Sequence, residues 1–311
     1  LKIIAAFFRL VRWPNLVFIV ITQLLFNYCI YRHVYGTTTG SPAETRQLLF
    51  LILASILIAA AGYIINDYFD LNIDQVNKPG KVVVNVMISR RWVIFWHMFL
   101  SLLGLFFTVL ALPVAEYWHL VLGNLASIIL LWFYSTNLKK RLLIGNVLIS
   151  LLTAWVIGII FFSKYLVKIN GPLVVDHNQI RFFRLTILYA SFAFIISLIR
   201  EVIKDMEDRE GDRKFGCRTM PIVWGLNASK VFIAVWIIVL LAVLTIIQLY
   251  VLPFGWWHSA LYCLLFIMVP LIWILLKLFK AQSSEDFHRL STVVKLIMFT
   301  GILSMIFFRI Y

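Results

Sequence analysis

Stretches of about twenty apolar residues, repeated along the whole chain, limit what this sequence can fold into more than any other feature. Gln47 to Ile65 and Leu185 to Ile199 contain no charged residue at all. A soluble domain of 311 residues has no use for a composition that is 62% hydrophobic, with a mean hydropathy of +0.95. A polytopic helical membrane protein does, because the bilayer offers no partner for an unpaired backbone group. The pattern predicts an all-α bundle, one domain over residues 1–311, with nine transmembrane helices near 14–34, 47–69, 92–112, 117–136, 142–163, 183–203, 229–251, 256–278 and 291–310. Pro14 suits a helix start, and Pro113 and Pro253 suit short turns. The first apolar run is too long for a signal peptide and lacks a small-residue cleavage site, so it reads as a retained span.

The net charge of +14 would suggest nucleic acid in a soluble protein, but here the basic residues alternate with spans and no nucleic-acid partner is expected. Of the 28 Lys and Arg residues, only Arg32, Arg46, Lys164, Lys168, Arg181, Arg184 and Arg309 fall on the side away from the N-terminus. The positive-inside rule therefore places the N-terminus in the cytoplasm and the C-terminus outside. The expected location is the inner membrane of a bacterial or archaeal cell. Cys29, Cys217 and Cys263 have no metal-ligand spacing, which indicates neither a zinc site nor a disulfide framework.

Each of the two charge-free runs ends in acid. Asn66 to Lys81 reads NDYFDLNIDQVNKPGK, with Asp67, Asp70 and Asp74 at offsets 0, 3 and 7. Arg200 to Asp212 reads REVIKDMEDREGD and repeats those offsets with Asp205, Asp208 and Asp212. On a helix each trio shares one face. Like charges so close repel and call for an external cation. Carboxylates without thiols or imidazoles favour hard cations, Mg²⁺ above all, which a few carboxylates hold together with substrate phosphate oxygens. Lys78, Lys81, Lys139, Lys140, Arg141, Arg200 and Lys204 are basic residues expected on the same side of the bundle, able to take remaining phosphate charge, although a basic residue at a span end also serves as a headgroup anchor. A metal-held diphosphate at the foot of an apolar bundle points to a lipid diphosphate. Its departure leaves an allylic carbocation, which the bundle shields from water until an acceptor captures it.

NDYFDLNID and DMEDREGD resemble the two aspartate-rich motifs of the UbiA-type intramembrane prenyltransferases. RWPN at Arg12 to Asn15, YSTNLKKR at Tyr134 to Arg141 and Gly145-Asn146 are similar to further family features. The resemblance spans nearly the whole chain and implies a nine-helix bundle. It also implies two Mg²⁺ ions, a prenyl diphosphate donor, a lipophilic acceptor and surrounding membrane lipid as partners. Carried over by position, Asn66, Asp70 and Asp74 would bind one ion and Asp208 and Asp212 the other, with Asp67 and Asp205 as additional ligands or as groups that orient them. Asp70 and Asp208 would be decisive for catalysis, and Lys78, Lys81, Lys139, Lys140, Arg141 and Lys204 would meet the substrates. Lys204 to Gly225 is most similar to the branch of digeranylgeranylglyceryl phosphate synthases, which join geranylgeranyl to geranylgeranylglyceryl phosphate. The chain departs from that branch after Lys78: where an Arg is usual it has Lys81, which turns a bidentate phosphate contact into a point charge.

An aromatic quinone precursor such as 4-hydroxybenzoate is the alternative acceptor. Among other classes, a cation-coupled transporter would carry its carboxylates near the midplane, whereas these sit at span ends. A structural anchor would need no matched acidic faces.

Overall fold

The computed structural model describes residues 2–37, 40–77, 80, 83–165 and 176–311. Among the described residues, nine helices are long and apolar enough to cross a membrane: α1 (Trp13–Tyr35), α2 (Pro42–Asn77), α3 (Arg90–Ala111), α4 (Val114–Thr136), α5 (Ile144–Lys164), α6 (His177–Glu207), α7 (Gly225–Phe254), α8 (Trp257–Leu278) and α9 (Ser284–Ile310). The chain is thus an all-helical, multi-pass membrane protein, as its apolar pattern predicts. A short helix, Lys2–Leu10, precedes α1 and was not expected. It buries Ala6 and Leu10 against Ala60, Ile64 and Leu71 of α2. Arg12 then adopts φ 52°, a left-handed backbone that is uncommon for a residue with a Cβ, and Pro14 opens the first turn of α1.

Several helices are longer than their apolar cores. The 36 residues of α2 extend about 54 Å, against a hydrocarbon layer of about 30 Å. Its last turns therefore leave the apolar layer while still helical, and carry Asp70 and Asp74 with them. The 31 residues of α6 behave the same way at Asp205. At α9 the expected start near 291 moves back to Ser284. Ser283 caps this helix: its Oγ accepts from the Asp286 N–H, while the Asp286 carboxylate accepts from the Ser283 N–H.

Polar side chains tie the spans where no hydrophobic effect can. Gln23 donates to Ser55 Oγ (2.8 Å) and to the Val156 carbonyl (3.0 Å), joining α1, α2 and α5. Asn124 donates to Thr108 Oγ1 and accepts from the Trp155 indole, joining α3, α4 and α5. Lys230, one turn into α7, is buried and donates to the carbonyls of Phe279 and Ala281 at the end of α8. This lysine thus caps the end of α8 from inside the bundle.

Candidate functional site

A cavity of about 390 Å³ lies along the bundle axis, lined by α1, α2, α4, α5, α6 and α9. Ile58, Leu152, Ile157, Phe192, Ile196 and Met305 supply apolar wall. Asn66, Asp70, Asp74, Asp205, Asp208 and Asp212 gather at one end. Both acidic stretches, whose aspartates lie at least 131 residues apart in sequence, therefore face a single space.

The end of α2 presents Asn66, Asp70, Asp74 and Asn77 to the cavity, a run of three- and four-residue steps that a helix puts on one face. Asp67 does not line the cavity. It points to Arg12, whose Nη2 donates to Asp67 Oδ1 at 2.6 Å. The spacing of 0, 3 and 7 places Asp67 at the border of the face, and the left-handed turn at Arg12 supplies the partner that draws it off. Burial disfavours the Arg12 charge, but Asp67, Tyr63 and Asp74 together outweigh it and hold the guanidinium above its ordinary pKa. Asn66 donates to Asp70 Oδ2 (2.8 Å) and so leaves its own Oδ1 turned outward as an acceptor.

Lys139 reaches this pair from the turn Leu138–Lys140, placing Nζ 3.3 Å from Asn66 Oδ1 and 2.5 Å from Asp70 Oδ1. Gly145 makes that approach possible: a Cβ there would come 2.8 Å from the Lys139 Cα. Lys140 and Arg141 share the turn but do not line the cavity. The Lys140 carbonyl accepts from the Arg218 N–H, and Arg141 is exposed. Lys78 and Lys81 lie outside the described residues.

The second acidic stretch is held in place by amides that sequence reading left unassigned. Asn146 donates to Asp205 Oδ2 at 2.9 Å. Asn77 donates to the Asp208 carbonyl (3.1 Å) and accepts from the Gly211 N–H (2.9 Å), which joins the foot of α2 to the short helix Arg209–Lys214 after α6. Gly211 has no room for a side chain, since a Cβ would lie 2.3 Å from Asn77 Oδ1. Glu207 faces elsewhere and binds His288 and Ser291 of α9. Cys217 also lines the cavity, and burial followed by the Asp212 carboxylate pushes its thiol up to about 11.

Above the aspartates lies a basic ring. Lys204 and Arg200 both reach Glu201 Oε1 at 3.2 Å. Lys295 projects from α9 with its ammonium 5.4 Å from the Phe18 ring centroid. Asn15, Tyr63 and Tyr134 complete this level. Of this ring the sequence names Lys204 as a substrate contact and Arg200 as a basic residue able to take phosphate charge; Lys295 is not singled out there. The start of α9 at Ser284 moves it inside.

Among the described residues, no three carboxylate, imidazole or thiol groups form a tight preformed cage. The oxygens face one another across the cavity instead. That fits Mg²⁺, which takes few protein carboxylates and completes its shell with water and substrate phosphate. The Lys139 ammonium between Asn66 Oδ1 and Asp70 Oδ1 occupies such a cation position and shows that these oxygens turn toward positive charge.

Residues 30–300 match the model of the UbiA prenyltransferase family. The chain belongs to that family. This prenyltransferase is 32% identical over 254 residues to a digeranylgeranylglyceryl phosphate synthase of Methanothermobacter thermautotrophicus, covering 79% of this chain and 80% of that protein. A protein of the same name from Saccharolobus solfataricus is 28% identical over 265 residues, with 84% of each chain covered. Among solved structures, one of digeranylgeranylglyceryl phosphate synthase matches with a TM-score of 0.61 at 21% identity, covering 98% of both chains. A UbiA homolog from Archaeoglobus fulgidus bound to DMAPP and Mg²⁺ matches with 0.55 at 16% identity, covering 96% of this chain and 98% of that one. At such identities the structures establish a shared fold. Family membership decides for transfer of a prenyl group within the membrane and against the transporter and the anchor.

Proposed function

We propose that this prenyltransferase moves a geranylgeranyl group from geranylgeranyl diphosphate to geranylgeranylglyceryl phosphate, with the acidic mouth of its single domain facing the cytoplasm. The observation that carries the reading is the convergence of the acidic ends of α2 and α6 on one apolar cavity. The relatives named for this reaction, at 28–32% identity over most of the chain, support the choice of substrates. The excess of Lys and Arg on the N-terminal side supports the orientation.

Asn66, Asp70 and Asp74 would hold one Mg²⁺, and Asp208 and Asp212 a second. Bound there, the two ions would neutralise the charge that builds on a departing diphosphate. Lys139 is placed to release Asp70 and donate to a diphosphate oxygen. Asn146 and Arg12 keep Asp205 and Asp67 in fixed positions behind the ligands. The C1–O bond of the donor breaks with its electron pair going to diphosphate, the acceptor hydroxyl oxygen bonds to C1, and the hydroxyl proton leaves with diphosphate. The apolar wall excludes water, which would otherwise capture the allylic cation. A hydroxyl attacking such a cation needs positioning more than a strong base.

The test is purified protein with Mg²⁺ and geranylgeranyl diphosphate, offered geranylgeranylglyceryl phosphate or 4-hydroxybenzoate. The expected product is digeranylgeranylglyceryl phosphate. Prenylation of the aromatic acceptor alone would refute the ether-lipid reading and leave family membership untouched.

A further inference from the structure

The aspartates and Lys139 account for one end of the cavity, but not for the cations above them. Arg12, Arg200, Lys204 and Lys295 all line the same wall region, and their charges act on one another. Asp67 pairs with Arg12, and Glu201 is shared by Arg200 and Lys204. Four cations against two carboxylates leave a surplus of two positive charges. Lys295 has no carboxylate partner among the described residues; its neighbours are the Phe18 ring and the like charges of Arg200 and Arg12. Arg200 Nε is buried with no hydrogen-bond partner among the described residues, a state that folded proteins rarely leave unexplained.

These groups also sit deep. Lys295 is eleven residues past the start of α9, about 16 Å along the helix axis. Arg200 is eight residues before Asp208, about 12 Å along α6. An unpaired charge at such depth is expensive, so its presence marks a substrate position. The metal-binding end already supplies cations for a diphosphate. What the ring lacks is a second anion carrying about two charges and several acceptor oxygens, the ionic state of a phosphomonoester at neutral pH.

We propose that Lys295 and the Nε edge of Arg200, backed by Lys204, form a phosphomonoester site that holds the acceptor apart from the metal-bound diphosphate. This rests on the proposed reaction, because a neutral acceptor has no use for such a site and an aromatic monocarboxylate would balance only one of its two surplus charges. With its phosphate held on α6 and α9, the acceptor's free hydroxyl is presented to the donor carbon, and a substrate without phosphate loses that anchor.

Steady-state kinetics of the full-length protein with Mg²⁺ tests the site. The wild type, Lys295→Met and Lys295→Arg are each given geranylgeranyl diphosphate with either geranylgeranylglyceryl phosphate or its phosphate-free alcohol, geranylgeranylglycerol. Loss of a charged hydrogen bond should raise the KM of Lys295→Met for the phosphorylated acceptor roughly 10- to 100-fold. Its KM for the donor and its turnover of the phosphate-free alcohol should stay at wild-type values, and Lys295→Arg should recover most of the loss. Equal loss with both acceptors, a rise in donor KM in place of acceptor KM, or no change would overturn the site. If Lys295→Met does not fold, Lys295→Gln is read in the same way. Wild-type protein that prenylates only 4-hydroxybenzoate would fail at the earlier step, the choice of acceptor, and would remove the site with it.

Discussion

Asn77, at the end of the first acidic stretch, hydrogen-bonds across to the second, and replacing it should uncouple them. Asn77→Ala removes two hydrogen bonds, one to the Asp208 carbonyl and one from the Gly211 N–H. At about 0.5–1.5 kcal/mol each, their loss frees roughly 1–3 kcal/mol of positioning energy. If that energy holds Asp208 and Asp212 opposite Asp70 and Asp74 in the reactive state, kcat/KM should fall roughly 5- to 150-fold. Half-maximal rate should then need more Mg²⁺, because the unbridged carboxylates must be brought together by the ion itself. Gly211→Ala approaches the same defect from the other side, since its Cβ would meet Asn77 Oδ1 at 2.3 Å. Both changes act through one contact, so the double variant should lose little more than the worse single variant. The assay is initial rate against Mg²⁺ concentration at saturating substrates, on protein checked for unchanged thermal unfolding. An unaltered Mg²⁺ response in Asn77→Ala, or strictly additive losses in the double variant, would refute the argument that this amide sets the metal geometry.

Asp70→Ala and Asp208→Ala should each abolish nearly all turnover in protein that still inserts and folds; near-normal rates in either would refute the assignment of ions to both acidic ends. EDTA should stop the reaction and Mg²⁺ or Mn²⁺ restore it, with Zn²⁺ a poor substitute for an all-oxygen ligand set; full activity in chelator would contradict the metal reading. Cys217 should be alkylated slowly at neutral pH in metal-free protein, because burial and Asp212 hold its thiol at about 11. Its thiolate fraction rises about tenfold per pH unit below that value, so labelling followed by mass spectrometry should quicken from pH 7 to 9, and prenyl diphosphate in the cavity should slow it.

The sequence predicts the nine spans because long apolar runs leave a bilayer-spanning helix few alternatives. It also predicts that Asp70, Asp74, Asp208 and Asp212 share one space, since matched acidic faces at the feet of two spans repel unless something positive joins them. The finer arrangement depends on contacts between distant residues. Asp67 has the same spacing as its neighbours, and only the left-handed turn at Arg12 explains why it leaves the cavity. Asn77 and Asn146 are neutral amides at helix ends, with no local pattern that separates a clamp from a cap. Their partners are 131 and 59 residues away.

Lys295 is different, because the signal was present and local. A lysine at the edge of an apolar run reads as a headgroup anchor, and a start for the last span near 291 makes it one. Ser283 and Asp286 form a capping pair with the three-residue spacing of a helix start, and the helix begins there. The polar turns from Ser284 to Arg289 dilute the apolar run, so hydropathy alone starts the span about two turns late. With the helix begun at the cap, Lys295 lies eleven residues into it and lines the cavity. Its charged neighbours there are Arg200 and Arg12, and the phosphomonoester site proposed above would bring the anion that balances them.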